Sequence, residues 1–285
     1  MSDLGAFESV FRRALRDRFE YQDLSLKTIL VISDMDGEEQ QTFEDQANRY
    51  LQLSLKKGSY ELKSLNKLDF APWPHLKERI LEMRPDLIIT YRLLWVEDIS
   101  ARKSLGSYID LLSQDTEIPI LVMPHPKLYS MEPLINKPGA VMVATEHDYA
   151  AHLQVNYGLK FLQRESSLIL IHIEDEDTFE YYMKAVEKIP DIDTEVARNK
   201  IHEQLLAGPE QYAQSVIEAL QKYRPEVSVE TKIHFGHLVS AYREFMVAHP
   251  TDLLITHSKD DTQLAMHSIG YSLAVEFRET PILLL

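Results

Sequence analysis

Cysteine is absent from all 285 residues, which removes disulfides, thiolate zinc sites and cysteine nucleophiles together. No apolar run approaches the ~20 residues that a bilayer requires. Met1 to Glu20 is charged throughout, without the apolar core of a secretory signal. Positive charge is scarce: 30 basic residues face 45 acidic ones, a formal net charge of −15. A surface that negative repels nucleic acid and anionic lipid at long range, so neither is expected as a partner. The two tryptophans, Trp73 and Trp95, come without a basic groove and read as packing anchors. The expectation is a cytoplasmic protein whose length suits two domains, each with its own core.

What is present is a repeat. Pro85-Asp86-Leu87-Ile88-Ile89-Thr90 is echoed by Pro250-Thr251-Asp252-Leu253-Leu254-Ile255-Thr256. Each is followed by a helical spacing and then a proline-opened apolar run, Pro119 to Val122 and Pro281 to Leu285. Thr90 lies 29 positions before Pro119 and Thr256 lies 25 before Pro281, so one strand–helix–strand unit recurs at nearly constant size.

Around that unit the periodicity predicts a helix over Leu4 to Tyr21, packed on the first copy. Strands are expected at Thr28 to Ser33, Tyr60 to Leu65, Asp86 to Thr90 and Pro119 to Met123. Helices fall at Glu38 to Leu55, Trp73 to Met83 and Lys103 to Gln114. Pro124-His125-Pro126 opens an extended linker to about Pro138. In the second copy, strands are expected at Ala140 to Thr145, Ser167 to Ile173, Ser228 to His234, Asp252 to Thr256 and Ile282 to Leu285. Helices are expected at Tyr149 to Gln163, Leu238 to His249 and Thr262 to Glu276, with a helical stretch from Thr178 to Tyr223 broken near Pro190 and Pro209. Apolar strands alternating with helices imply parallel strands covered on both faces. Asp34 to Thr90 spans 56 residues and Glu146 to Thr256 spans 110, so the first copy is shorter by 54 and is expected to hold only four strands.

This pattern resembles the universal stress protein family in a tandem arrangement. The residues that carry the likeness are Val141-Met142-Val143-Ala144-Thr145-Glu146-His147, Leu168 to Ile173, His234-Phe235-Gly236-His237 and Asp252 to His257. The resemblance implies two flavodoxin-like, adenine-nucleotide-hydrolase-like doubly wound parallel sheets in tandem. The expected division is an N-terminal helix over 1–25, a shortened first domain over 26–124, a linker over 125–138 and a complete second domain over 139–285. It also implies an internal pairing of the terminal strands Ile118 to Met123 and Thr280 to Leu285, and a homodimer.

Nucleotide-binding members of that family place three glycines and a hydroxyl where backbone amides meet phosphate at a helix N-terminus. In the second copy those positions hold Ile255, Ser258, Ser268 and Ile269, and Asp260 and Asp261 add negative charge. Like charges at that range cost on the order of a few kcal/mol, against the one or two that a helix end offers. The first copy keeps Gly106-Ser107, and Asp34 at the end of its first strand, but Leu93 and Val96 replace the earlier glycines. ATP or AMP binding through Asp34, Gly106 and Ser107 therefore stands as an alternative. The leading reading is a non-enzymatic stress-response protein without a cofactor, acting on a small ligand or an unidentified protein partner.

Two further constellations remain open. Ile29 to Gly37 resembles the first motif of haloacid-dehalogenase-like phosphatases, in which Asp34 would attack phosphorus and Asp36 protonate the leaving oxygen around Mg²⁺, with Thr90 as a second hydroxyl. The strand ends of the second copy carry Glu146, His147, His172, Glu174, His237 and His257. Imidazole and carboxylate suit zinc, and Glu146, His147 and His257 are the candidate ligands. The stronger reading of the same residues is as helix caps and solvated charges.

Overall fold

The apolar runs become strands and the periodic segments become helices. A computed structural model describes residues 18–69, 72–96, 104–136, 139–145, 151–163, 166–258 and 269–285. The first half runs β1 (Thr28–Ile32), α1 (Gly37–Leu51), β2 (Glu61–Leu65), α2 (Trp73–Met83), β3 (Leu87–Tyr91), α3 (Ser107–Asp115), β4 (Ile120–Met123) and α4 (Glu132–Asn136). The second runs β5 (Ala140–Ala144), α5 (Ala151–Phe161), β6 (Ser167–Asp175), α6 (Glu176–Val186), α7 (Thr194–Tyr223), β7 (Ser228–Gly236), α8 (Leu238–Ala248), β8 (Thr251–Thr256), α9 (Ile269–Glu276) and β9 (Ile282–Leu284).

The nine strands form one sheet in the order β2-β1-β3-β4-β9-β8-β5-β6-β7. Every neighbouring pair is parallel except β4 with β9, which are antiparallel through Ile120↔Leu284, Leu121↔Leu283 and Val122↔Ile282. The two terminal strands thus meet as expected, and each hides the apolar edge of the other. Strands β3, β4 and β5 are buried at every position. That is the signature of parallel strands covered on both faces. The outer strands differ: β2 is Glu-Leu-Lys-Ser-Leu and β7 carries Glu230 and Lys232, charges that blunt an exposed edge.

Among the described residues the first half has four strands and the second five. Position by position, β2-β1-β3-β4 matches β6-β5-β8-β9, so the extra strand is the outer one, β7, delivered by α6 and α7.

Three local expectations need correction. Most of Leu4 to Tyr21 lies outside the described residues, but residues 18–21 are not helical and reach the second half instead of the first. The Phe19 N–H donates to Ser215 Oγ at 3.0 Å, the Gln22 N–H to Asn156 Oδ1 at 2.9 Å, and Asn156 Nδ2 donates to the Glu20 carbonyl at 3.0 Å. Backbone groups held by side chains in this way are not available to a helical ladder. The linker is also not simply extended, because it contains a turn after His125 and the short α4, with Met131 buried. Finally, the helix breaks at Pro190 but passes through Pro209. Pro209 is buried within the helix, and burial of its ring offsets the hydrogen bond that proline removes.

The halves are tied by polar contacts as well as by β4–β9. Tyr50 Oη, on α1, donates to the Asp252 carbonyl at 3.0 Å. The Asp252 carboxylate accepts the Gly139 N–H. Burial raises the Asp252 pKa from its ordinary 3.8 to about 6, while the Gly139 bond works in the opposite direction. For a carboxyl raised in this way the contribution of Asp252 to stability is fully present below pH 3.8 and is lost as pH rises through about 6. Asp252→Asn keeps an acceptor and removes the charge. It is expected to stabilise the protein by ~1–2 kcal/mol at pH 7.5, after discounting for solvent screening, and to change nothing at pH 3.5. Chemical denaturation at the two pH values reads this, and a variant weaker than its parent at pH 7.5 contradicts it.

Candidate functional site

Ligands of doubly wound sheets sit beyond the carboxyl ends of the strands, and this sheet has two such mouths. In the first, Asp34 leaves β1 beside the turn that ends β3. Its backbone N–H donates to Tyr91 Oη at 3.0 Å, the Tyr91 hydroxyl donates to Asp34 Oδ1, and the Trp95 N–H donates to Asp34 Oδ2 at 2.8 Å. Burial and Asp34 push the Tyr91 pKa far above its usual range, so this hydroxyl keeps its proton. Leu93 and Trp95 have φ of 63° and 61°, left-handed values that L-residues other than Asn and Asp seldom adopt. The Leu93 N–H donates to the Leu105 carbonyl at 2.7 Å, so the turn lies on the segment leading into α3. Gly106 caps that helix with φ 97°, and a Cβ there would stand 3.0 Å from Leu93 Cα.

Asp34, Gly106 and Ser107 are therefore brought to one mouth, and the turn from Leu93 to Val96 lies between Asp34 and Gly106. Asp36 is paired with Lys67. The Thr90 hydroxyl is buried without a hydrogen-bond partner among the described residues.

The second mouth is open. A cavity of about 630 Å³ lies at the ends of β5 and β6. Helix α6 walls it with Phe179, Tyr182, Met183 and Val186, an i, i+3, i+4, i+7 set that puts one helix face over the sheet. Helix α7 contributes Ile201 and Leu205, β7 contributes Phe235, and α8 contributes Leu238 and Tyr242. Phe179 and Phe235 meet with ring centroids 5.0 Å apart, and His202 stacks on Phe235 at 4.1 Å. Arg198, bonded to Glu180 and 5.6 Å over the Phe179 ring, ties α7 to α6.

At the sheet end the lining turns polar. His172 Nδ1 lies 2.8 Å from the Thr145 carbonyl, and Nε2 lies 2.9 Å from Glu174 Oε1. Both residues are buried, at 3% and 6% exposure. The carbonyl can only accept, so Nδ1 donates to it, and Nε2 faces the Glu174 carboxyl. Nearby, His237 Nδ1 stands 3.2 Å from Asp177 Oδ2 on the exposed rim.

Of the metal candidates, Glu146 and His147 lie outside the described residues, as do Asp260, Asp261 and Ser268. His257 is half-buried at the end of β8, and its carbonyl would be 2.2 Å from a Cβ on residue 270. Among the described residues no group of three or more such side chains could hold a metal. No described helix is long and apolar enough to cross a membrane. Sequence reading listed His172 and Glu174 along the rim but missed the cavity. The signal for it was the apolar face of α6 standing over strand ends.

No protein-family model and no curated protein matches the sequence. Among solved structures, a functionally unknown protein from Pseudomonas aeruginosa is 12% identical, with 92% of each chain covered and a TM-score of 0.48. A universal stress protein from Archaeoglobus fulgidus is 14% identical over 91% of this chain and 85% of its own, with a TM-score of 0.46. Both scores are below 0.5, so the architecture rests on the chain's own strand pairing and the site on its own geometry.

Proposed function

We propose that the protein is a non-enzymatic, universal-stress-type protein that senses a small ligand in the cavity of its second half. The observation that carries this is the cavity itself. Its ~630 Å³ falls within the usual range for small-molecule pockets, and its walls are apolar with a few converging polar groups. Helices α6 and α7 and strand β7, the unit that the first half lacks, supply half of its described lining residues. A stress-response role follows the resemblance noted in the sequence.

The geometry of the first mouth favours this reading over a nucleotide site. Asp34 already accepts two internal hydrogen bonds, and Leu93 presses on Gly106 where a phosphate would need backbone amides. The same engagement of Asp34, with Lys67 on Asp36, supports a non-enzymatic role.

Titration with the neutral fluorophore N-phenyl-1-naphthylamine, beside a melting-temperature series in ATP and Mg²⁺, tests the proposal. The expected outcome is saturable binding of one fluorophore per chain and a shift below 1 °C with ATP. Bound nucleotide stabilises by RT ln(1 + [L]/Kd). A saturating rise of several degrees with ATP, lost in Asp34→Asn, would restore the nucleotide reading.

A further inference from the structure

Given the ligand-sensing role just proposed, on which this rests, we infer that the cavity takes an uncharged apolar molecule ending in a hydrogen-bond donor, such as a long-chain alcohol or amide, and excludes anionic amphiphiles. The polar end of the cavity decides this. Its described groups are the Glu174 and Asp175 carboxyls and the Thr145 and Thr178 hydroxyls, whose protons already go to the Ile171 carbonyl and to Asp175 Oδ2 and leave their oxygens as acceptors. Among the described lining residues there is no lysine or arginine. The one group among those described lining residues able to carry positive charge is His172, and both of its nitrogens already face acceptors, Thr145 O and Glu174 Oε1. It therefore has no N–H to turn toward an incoming carboxylate.

An anionic head entering this end would meet oxygen acceptors at close range, with no cation among the described lining residues to offset its desolvation. A hydroxyl or amide N–H entering the same end meets acceptors suited to it, while its chain lies against Phe179, Met183 and Leu205. The acidic first turn of α6, Glu176 and Asp177, adds repulsion at the entrance. Selectivity arises mainly from what the pocket lacks for the wrong ligand, which leaves an anion's charge unpaired.

The test uses the full chain and displacement of bound N-phenyl-1-naphthylamine at pH 7.5 by decan-1-ol, kept below its solubility limit, and by decanoate, kept below its micelle concentration. Decanol is expected to displace the fluorophore at concentrations at least tenfold lower than decanoate. Thr178→Lys places a cation at the exposed mouth, where it does not disturb the core, and is expected to narrow that ratio to threefold or less. Decanoate competing as well as decanol in the parent overturns the ligand class and leaves the cavity reading standing. Decanol failing to displace a fluorophore that Leu205→Trp abolishes has the same meaning. Fluorophore binding that survives Leu205→Trp unchanged overturns both.

Discussion

Arg92→Ala is expected to lower the melting temperature by ~3–5 °C, through the loss of about 2–3 kcal/mol. Arg92 is 3% exposed at the end of β3, and three of its four side-chain bonds cross to the other half. Nη2 donates to the Phe277 carbonyl at 2.6 Å, Nε to Ala274 at 3.2 Å, and longer bonds at 3.4 Å reach Met123 and Thr280. Ala274 and Phe277 lie at the carboxyl end of α9, where carbonyls have no helical partner. Burial lowers the Arg92 pKa from its ordinary value to about 9, opposed by Tyr129, with Arg278 adding like-charge repulsion. Removing the guanidinium relieves that desolvation but leaves two well-aligned carbonyls dry at about 1–3 kcal/mol each, and the second effect is the larger. Lysine has no planar fork to serve several carbonyls, so Arg92→Lys should recover less than half of the loss. An alanine variant melting within 1 °C of the parent would show that the contact does not hold the halves together.

Gly270→Ala has a larger expected effect. A Cβ at this position would stand 2.2 Å from the His257 carbonyl oxygen and 2.9 Å from Thr256 Oγ1. The first contact is with backbone at the end of a buried strand, so relief requires α9 to move off β8. Overpacking of that kind costs ~3 kcal/mol or more. The variant should lose at least ~6 °C in melting temperature, or fail to accumulate as folded protein. Gly158→Ala is the control. Its Cβ would meet the movable tips of Leu168 and Val143 at 2.9 and 3.0 Å, and a smaller loss is expected. Equal tolerance of both substitutions would contradict the close approach at His257.

Much of this architecture was legible in the sequence because burial on both faces leaves a continuous apolar run. Leu87–Tyr91 and Thr251–Thr256, the pair that announced the repeat, are β3 and β8, each next to the terminal strand of its half. The 54-residue difference pointed to a missing strand–helix unit, and β7 with its helices is that unit.

What escaped the sequence was set by distant partners. The Trp95 N–H reaches Asp34 across 61 positions, and no spacing rule signals such a contact. Left-handed φ at Leu93 and Trp95 defies residue preference, because tertiary contacts fix the turn. Pro209 was expected to break a helix because its lost hydrogen bond was weighed without the burial of its ring. His172 and Glu174 were visible as two residues on a rim. Their pairing, and the cavity above them, depend on where α6 and α7 fold back.

The most direct measurement is a fluorescence titration of the parent and Leu205→Trp with N-phenyl-1-naphthylamine, each first confirmed to melt cooperatively. An outer strand–helix unit that encloses an apolar chamber predicts one saturable site per chain in the parent and at least a tenfold loss of affinity when indole fills the space. Identical titration curves for the two proteins would mean that nothing binds there.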